Sequence, residues 1–201
     1  MISYAKALDL LESAATELGV ESISSLNALE RICAQDIFSP IALPSFDNSA
    51  MDGFAVRYND TLSASQEGPL ELRITEIIQA KASALKFAVA EAGCCCEIMT
   101  GAPIPAGYDA VIPIELVHLI ERDGQNYIQI KHAVKMHDNV RFSGEDVGLG
   151  ALLFKRGQQI QANDVMLLAS LGIVQLNVFK ALSLAIATTG EEISDNYAQE
   201  L

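Results

Sequence analysis

The sequence predicts a β-rich α+β protein in which an all-β unit, about residues 44–146, interrupts a helix-bearing domain made of residues 1–43 and 147–178. Three observations carry this prediction. Short apolar runs separated by turn residues fill the middle of the chain, and Leu70-Glu71-Leu72-Arg73-Ile74-Thr75 alternates as a half-buried strand does. Apolar residues at helical spacing occupy both flanks, at 3–18 and 163–171. Last, 182–187 is a nearly continuous apolar run that opens onto Thr188-Thr189-Gly190-Glu191-Glu192, the way a doubly wound α/β domain begins. Residues 179–201 are therefore expected to start a further domain that is cut short, which makes the chain a fragment.

Each element has its own reason. Ser3 suits the N-cap of a helix over 3–18, where Leu8, Leu11, Ala15 and Leu18 recur on one face before Gly19 stops it. A second helix is expected over 26–35, closed at Ser39-Pro40 because a residue before proline leaves the helical region. Strands are expected at 54–57, 70–78, 87–89, 98–99 and 110–114. Two more, at 117–121 and 127–131, flank Asp123-Gly124, a dipeptide that tolerates the positive φ of a tight hairpin. Asn163 or Asp164 can cap a helix over 165–171 that Gly172 closes, and this helix should pack against the one at 3–18.

Composition narrows the function. Of 201 residues, 50% are hydrophobic and 19% charged, which fits an ordered globular chain. The formal net charge of -13 repels phosphate backbones and anionic lipid, arguing against nucleic-acid and membrane partners. The N-terminus lacks the basic stretch and apolar core of a signal peptide, so a cytoplasmic location is expected. Cys33 and the run Cys94-Cys95-Cys96 lack a second Cys or His pair at zinc spacing, and His118, His132 and His137 are scattered. Small buried hydrophobes are the better reading of these cysteines.

Three polar loops concentrate the chemistry. The first, 44–57, places Ser49 and the Asp52 carboxylate beside Gly53. In the second, 98–107, Thr100 offers a hydroxyl and Gly101 lets a ligand approach the backbone. The third, 139–146, sets Arg141 ahead of Glu145 and Asp146, and Glu115, at the end of the 110–114 strand, is a further carboxylate expected to join them. Each loop also reads as a set of local turns and solvated ion pairs. Read functionally, they suggest Mg²⁺-assisted handling of a phosphorylated or oxyanionic ligand.

The string from Phe46 to Arg57, Phe-Asp-Asn-Ser-Ala-Met-Asp-Gly-Phe-Ala-Val-Arg, closely resembles the signature of the MoeA and gephyrin E-domain family, the molybdopterin molybdenumtransferases. Three further segments match in order: Ile98 to Pro103 with Pro105-Ala106-Gly107, then Asn139-Val140-Arg141 with Gly144-Glu145-Asp146, then Ala169 to Gly172 leading to Thr188 to Glu192. The resemblance implies an elongated homodimer with a linker domain, an inserted β domain, an α/β domain and a C-terminal β domain. It also implies that adenylylated molybdopterin and molybdate are the substrates, with Mg²⁺, and that AMP leaves as the metal enters the dithiolene. Position by position, it assigns Asp52, Asp146 and Glu192 to metal, molybdate and phosphoanhydride chemistry. Thr100, Arg141, Ser49 and Gly101 become substrate-binding or positioning groups. Molybdopterin adenylyltransferase and recipient molybdoenzymes are implied partners.

The chain departs from the family in several places. Phe142 and Ser143 follow Arg141 where basic residues are common, Glu97 stands where a basic residue is common, and Ile114 replaces a frequent glutamine before Glu115. The family's site lies between one subunit's α/β domain and the partner's β domain, so this chain is expected to hold one wall of it and to be inactive alone. The alternative is a non-catalytic dimerising scaffold, as gephyrin also is.

Overall fold

The computed structural model describes residues 2–80, 89–183 and 185. Along these residues run α1 (Tyr4–Ala14), β1 (Val20–Ser24), β2 (Ile37–Phe38), β3 (Asn48–Ser49), β4 (Gly53–Val56), α2 (Tyr58–Thr61) and β5 (Leu70–Ile78). There follow β6 (Cys94–Ile98), β7 (Ala110–Pro113), β8 (His118–Arg122), β9 (Gln125–Ile130), β10 (Val140–Arg141), β11 (Leu152–Phe154), α3 (Ala162–Ser170) and β12 (Gln175–Phe179). The chain is β-rich with few helices, and it divides into two compact units, Met1–Ile37 with Phe154–Leu201, and Phe38–Leu153. The changeovers lie outside 44–146 because the chain enters and leaves the second unit as a pair. Ser39 N–H donates to Ala151 O (2.8 Å), Gly150 N–H to Ser39 O (2.9 Å) and Leu43 N–H to Val147 O (2.7 Å).

The second unit is built on a six-stranded sheet in the order β7-β4-β6-β5-β9-β8. Neighbours are antiparallel except β5 and β6. Side chains alternate across a pleated strand, so β4 splits its residues between two cores. Phe54 and Val56 join Leu72, Cys95, Ile112, Ile128 and Ile130 on one face, while Ala55 joins Ile78, Cys96, Ile98, Tyr108 and Val111 on the other. Burial on both faces explains why β4 carries no polar side chain. The cysteine run follows the same alternation: Cys95 packs into the first cluster and Cys96 into the second, both thiols free and buried. Desolvation by burial is the main force pushing the Cys95 thiol far above its ordinary range, so it stays a neutral hydrophobe. The hairpin of β8 and β9 turns at Asp123 (φ 52°) and Gly124 (φ 71°), the positive-φ pair that the dipeptide predicts.

In the first unit, β1 and β12 form an antiparallel pair with Val20 opposite Phe179 and Ser24 opposite Gln175. Neither strand was expected from the sequence. The helix expected over 26–35 is replaced by a 3-10 turn, Ser25–Asn27, followed by bridging chain. The amides that a helix would use internally go elsewhere: Glu30 donates to Ile160 O, Cys33 to Gln158 O and Ala34 to Asn177 O. Helix α1 does start at Ser3, whose Oγ accepts the Lys6 amide (3.3 Å), but it ends at Ala14 rather than at 18 and buries none of its residues. Helix α3 packs on the Ser25–Asn27 turn, so the expected packing of the two helices on each other is not what forms. Its cap is also shifted: Gln161 precedes the helix, and Asp164 lies one turn inside, accepting the Gln161 amide at 2.8 Å. Gly172 (φ 70°) closes α3 with Ile173 N–H bonded to Leu168 O at 2.9 Å.

The strand expected at 182–187 and the one at 87–89 lie largely outside the described residues, as does Glu192. No helix among the described residues is long and apolar enough to cross a membrane.

Gly53 is where the sheet admits only one residue type. A Cβ at Gly53 would lie 2.0 Å from the Ile112 carbonyl oxygen, on a strand fixed by its own ladder. Gly53→Ala is therefore expected to lower the unfolding free energy by about 3 kcal/mol or more, measured by denaturant melts. Unchanged stability would contradict the β4–β7 register.

Candidate functional site

The three polar loops meet on a strand only two residues long. Asn48 and Ser49 of β3 pair antiparallel with β10, Ser49 opposite Val140 and Asn48 opposite Arg141. On the other edge, Ser49 N–H donates to Ala102 O (3.0 Å), Gly101 N–H donates to Ser49 O (2.8 Å), and Asn48 bridges Pro103. Gly101 reaches that carbonyl with φ 77°, a conformation glycine adopts without strain. Ser49 is 1% exposed, and its hydroxyl donates to Met51 O at 2.6 Å, so its side chain shapes the turn toward Asp52 and is closed to solvent.

That turn presents Asp52 to Thr100. The Asp52 Oδ1 accepts both the Thr100 amide and the Thr100 hydroxyl, each at 2.7 Å, on exposed surface. The amide bond first, and then the hydroxyl bond, hold the Asp52 carboxyl below its ordinary range, so it is ionised at neutral pH. The Asp52 carbonyl accepts the Ile114 amide at 3.1 Å, which begins a 3-10 turn carrying Glu115. Glu115 thus follows a residue bonded to the Asp52 turn, whereas the sequence grouped it with the third loop.

The third loop holds the arginine. Arg141 Nη2 donates to Asp146 Oδ1 at 2.6 Å, and its Nε lies 3.5 Å from Glu145 Oε1. The Asp146 hydrogen bond, then the charge of Asp146, raise the Arg141 pKa, so the guanidinium is permanently charged. Glu145 also accepts the Phe142 amide at 3.0 Å, closing the turn on itself. Phe142 packs edge-on against the His137 ring at 5.1 Å.

The structure therefore joins loops one, two and three through β3, and pairs Asp52 with Thr100 and Arg141 with Asp146. It does not gather the carboxylates on a metal: among the described residues no group of three His, Cys, Asp or Glu is placed to hold an ion. Two residues that the sequence offered only as a turn former and as part of a motif hold distant segments together. Asn139 has φ 56° and its side-chain amide donates to Val111 O at 2.9 Å, fixing the entry to β10. Asp47 accepts the Ser143 amide at 2.8 Å. Their only signal was the tolerance of Asn and Asp for turns, which does not separate a tie from an ordinary loop residue.

Residues 2–172 match the MoeA N-terminal region (domain I and II). The molybdopterin molybdenumtransferase of Synechococcus elongatus is 35% identical over 195 residues, 96% of this chain and 47% of its own length. That of Haemophilus influenzae is 39% identical over 189 residues, 92% of this chain and 43% of its own. A crystal structure of a molybdopterin biosynthesis MoeA protein from Pyrococcus horikoshii OT3 matches with a TM-score of 0.77 at 32% identity, over 89% of this chain and 46% of that one. The chain spans less than half the length of these curated relatives.

The Asp52–Thr100 contact has a definite pH signature. Because the folded Asp52 pKa lies below its unfolded value of about 3.9, the contact's stabilisation is complete above that pH and is lost as pH falls through the folded value. Thr100→Val removes the hydroxyl donor and keeps the amide. The Asp52 carboxyl midpoint, followed by carbon NMR, is expected to rise toward the ordinary range while staying below it. A midpoint unmoved by Thr100→Val would contradict the shared Oδ1.

Proposed function

The chain belongs to the MoeA N-terminal region family, and on that premise we propose that it supplies the β-domain wall of a molybdopterin molybdenumtransferase site. The substrates of the whole enzyme are then adenylylated molybdopterin and molybdate, with AMP released as molybdenum enters the dithiolene. The observation that carries this reading is the pair of charged clusters tied to one short strand: Asp52 with Thr100, and Arg141 with Asp146.

The residues divide the work by their chemistry. Asp52 is an exposed, ionised carboxylate whose Oδ1 is already fixed by two donors, so it meets a substrate without reorganising. Arg141 has a planar fork of five N–H donors, of which Asp146 and Glu145 engage those at Nη2 and Nε. The remaining donors suit a phosphate or oxyanion, and the flanking carboxylates keep the fork in place. Gly101 offers its Cα face to an approaching ligand, and nothing lies within 4 Å of a Cβ built there. Ser49 acts indirectly, by shaping the turn. Glu192 and Asp146 are retained as candidate catalytic groups, with Asp146 acting through Arg141.

Mg²⁺ takes close to octahedral oxygen coordination and keeps several waters. Asp52 and the Thr100 hydroxyl provide a matching but incomplete oxygen set. Asp52 would therefore hold the ion together with substrate phosphates and water, and the ion would neutralise charge on the phosphoanhydride. The same reading makes the protein a cytoplasmic homodimer, with the partner's α/β domain as the opposite wall. Molybdopterin adenylyltransferase would supply the substrate, and molybdoenzymes would receive the product.

The test is a molybdenum-insertion assay with adenylylated molybdopterin, molybdate and Mg²⁺. It is run on the chain alone and with the C-terminal portion of a relative added. Insertion is expected in the mixture, with Asp52→Asn lowering kcat/KM at least about 100-fold. Insertion that proceeds unchanged in Asp52→Asn would overturn the assignment.

A further inference from the structure

The Asp47 carboxylate belongs to neither charged cluster, yet Asp47 ties loop one to both of the others. Its Oδ1 accepts the Ser143 amide at 2.8 Å, and its backbone carbonyl accepts the Ile104 amide at 3.0 Å. Ser143 is inside the turn whose two ends are Arg141 and Asp146. The same turn is held from the start of loop one by Gly144 N–H to Pro44 O (2.9 Å) and from the residue before it by Asp146 N–H to Leu43 O (3.0 Å). Those two ties are backbone to backbone; Asp47 is the side-chain tie, and it reaches the turn's apex.

We propose that Asp47 is a positioning residue for Arg141, fixing the guanidinium through the Ser143 amide; this rests on reading Arg141 as a substrate-binding group. The charge balance supports it. A carboxylate beside a loop meant to receive an anionic substrate works against attraction, and here it adds to Glu145 and Asp146. Its contribution is therefore order: a carboxylate bonded to an amide makes a charge-assisted hydrogen bond, stronger than a neutral acceptor would make. The tie uses the Ser143 backbone and makes no demand on its side chain.

The test uses the whole chain and reads Arg141 directly, through solvent exchange of its Nε–H in nitrogen-labelled protein. Asp47→Ala is expected to speed that exchange about three- to tenfold, while the Phe54 and Ile128 amides of the sheet keep their wild-type rates. Asp47→Asn, which retains an acceptor, is expected to restore most of the protection. Arg141 exchange unchanged in Asp47→Ala would overturn the proposal, as would a loosening shared by the sheet amides. This readout stands whether or not the chain takes part in molybdenum insertion. Where wild-type protein binds adenylylated molybdopterin, Asp47→Ala should weaken binding by a similar factor, and undiminished binding would overturn the link to substrate.

Discussion

Two buried residues, Asn48 and Ser49, have backbone groups that must find partners away from water, and the site is built around that requirement. An unpaired buried amide or carbonyl costs roughly 1–3 kcal/mol, and the two residues are 6% and 1% exposed. The sheet proper offers them nothing. Their partners come instead from the two other polar loops, 139–141 on one edge and 101–103 on the other. Segments far apart in sequence are thereby brought to one place by main-chain bonding, which the Asp52 and Asp47 side chains reinforce. Of the side chains that matter, Arg141 then stands on that fixed backbone and Asp52 and Thr100 stand within three residues of it.

The electrostatics of the site follow from that arrangement. In a chain of net charge -13, an exposed carboxylate cluster would ordinarily repel an anionic ligand. Here Asp52 is satisfied by Thr100, Asp146 by Arg141 and Asp47 by the Ser143 amide. The carboxylates act mainly as fixed acceptors that hold donors in place. The clusters lie on exposed surface. That suits one wall of a cleft, and it is why the proposed function calls on a second wall and on Mg²⁺ to complete the positive field.

Where periodicity was strong, the sequence was legible. Strand β5 was read at its true bounds, because alternation over 70–75 has a clear period and the apolar Ile77-Ile78 extends it, and Asp123-Gly124 announced its turn. The helix at 26–35 was misread because local propensity competes with tertiary pairing, and the amides of Glu30, Cys33 and Ala34 go to distant carbonyls. Strands β1 and β12 were missed because each is five residues long and half-exposed, too short to distinguish from loop. At the site, the loop compositions left Asp52, Thr100 and Arg141 open between local turns and a ligand site, the family resemblance singled them out, and their pairings come from the structure. Asp47 was illegible, since its role depends on Ser143 folding beside it.

The central claim is that loops 48–53, 100–102 and 141–146 form one ligand-facing surface. It is tested most directly by titrating adenylylated molybdopterin, with molybdate and Mg²⁺, into nitrogen-labelled chain and following the backbone amides. The account predicts that Ser49 to Gly53, Thr100 to Ala102 and Arg141 to Asp146 shift together, with one common midpoint. Shifts confined to a single loop, or falling in the β1–β12 unit while these three stay still, would contradict it.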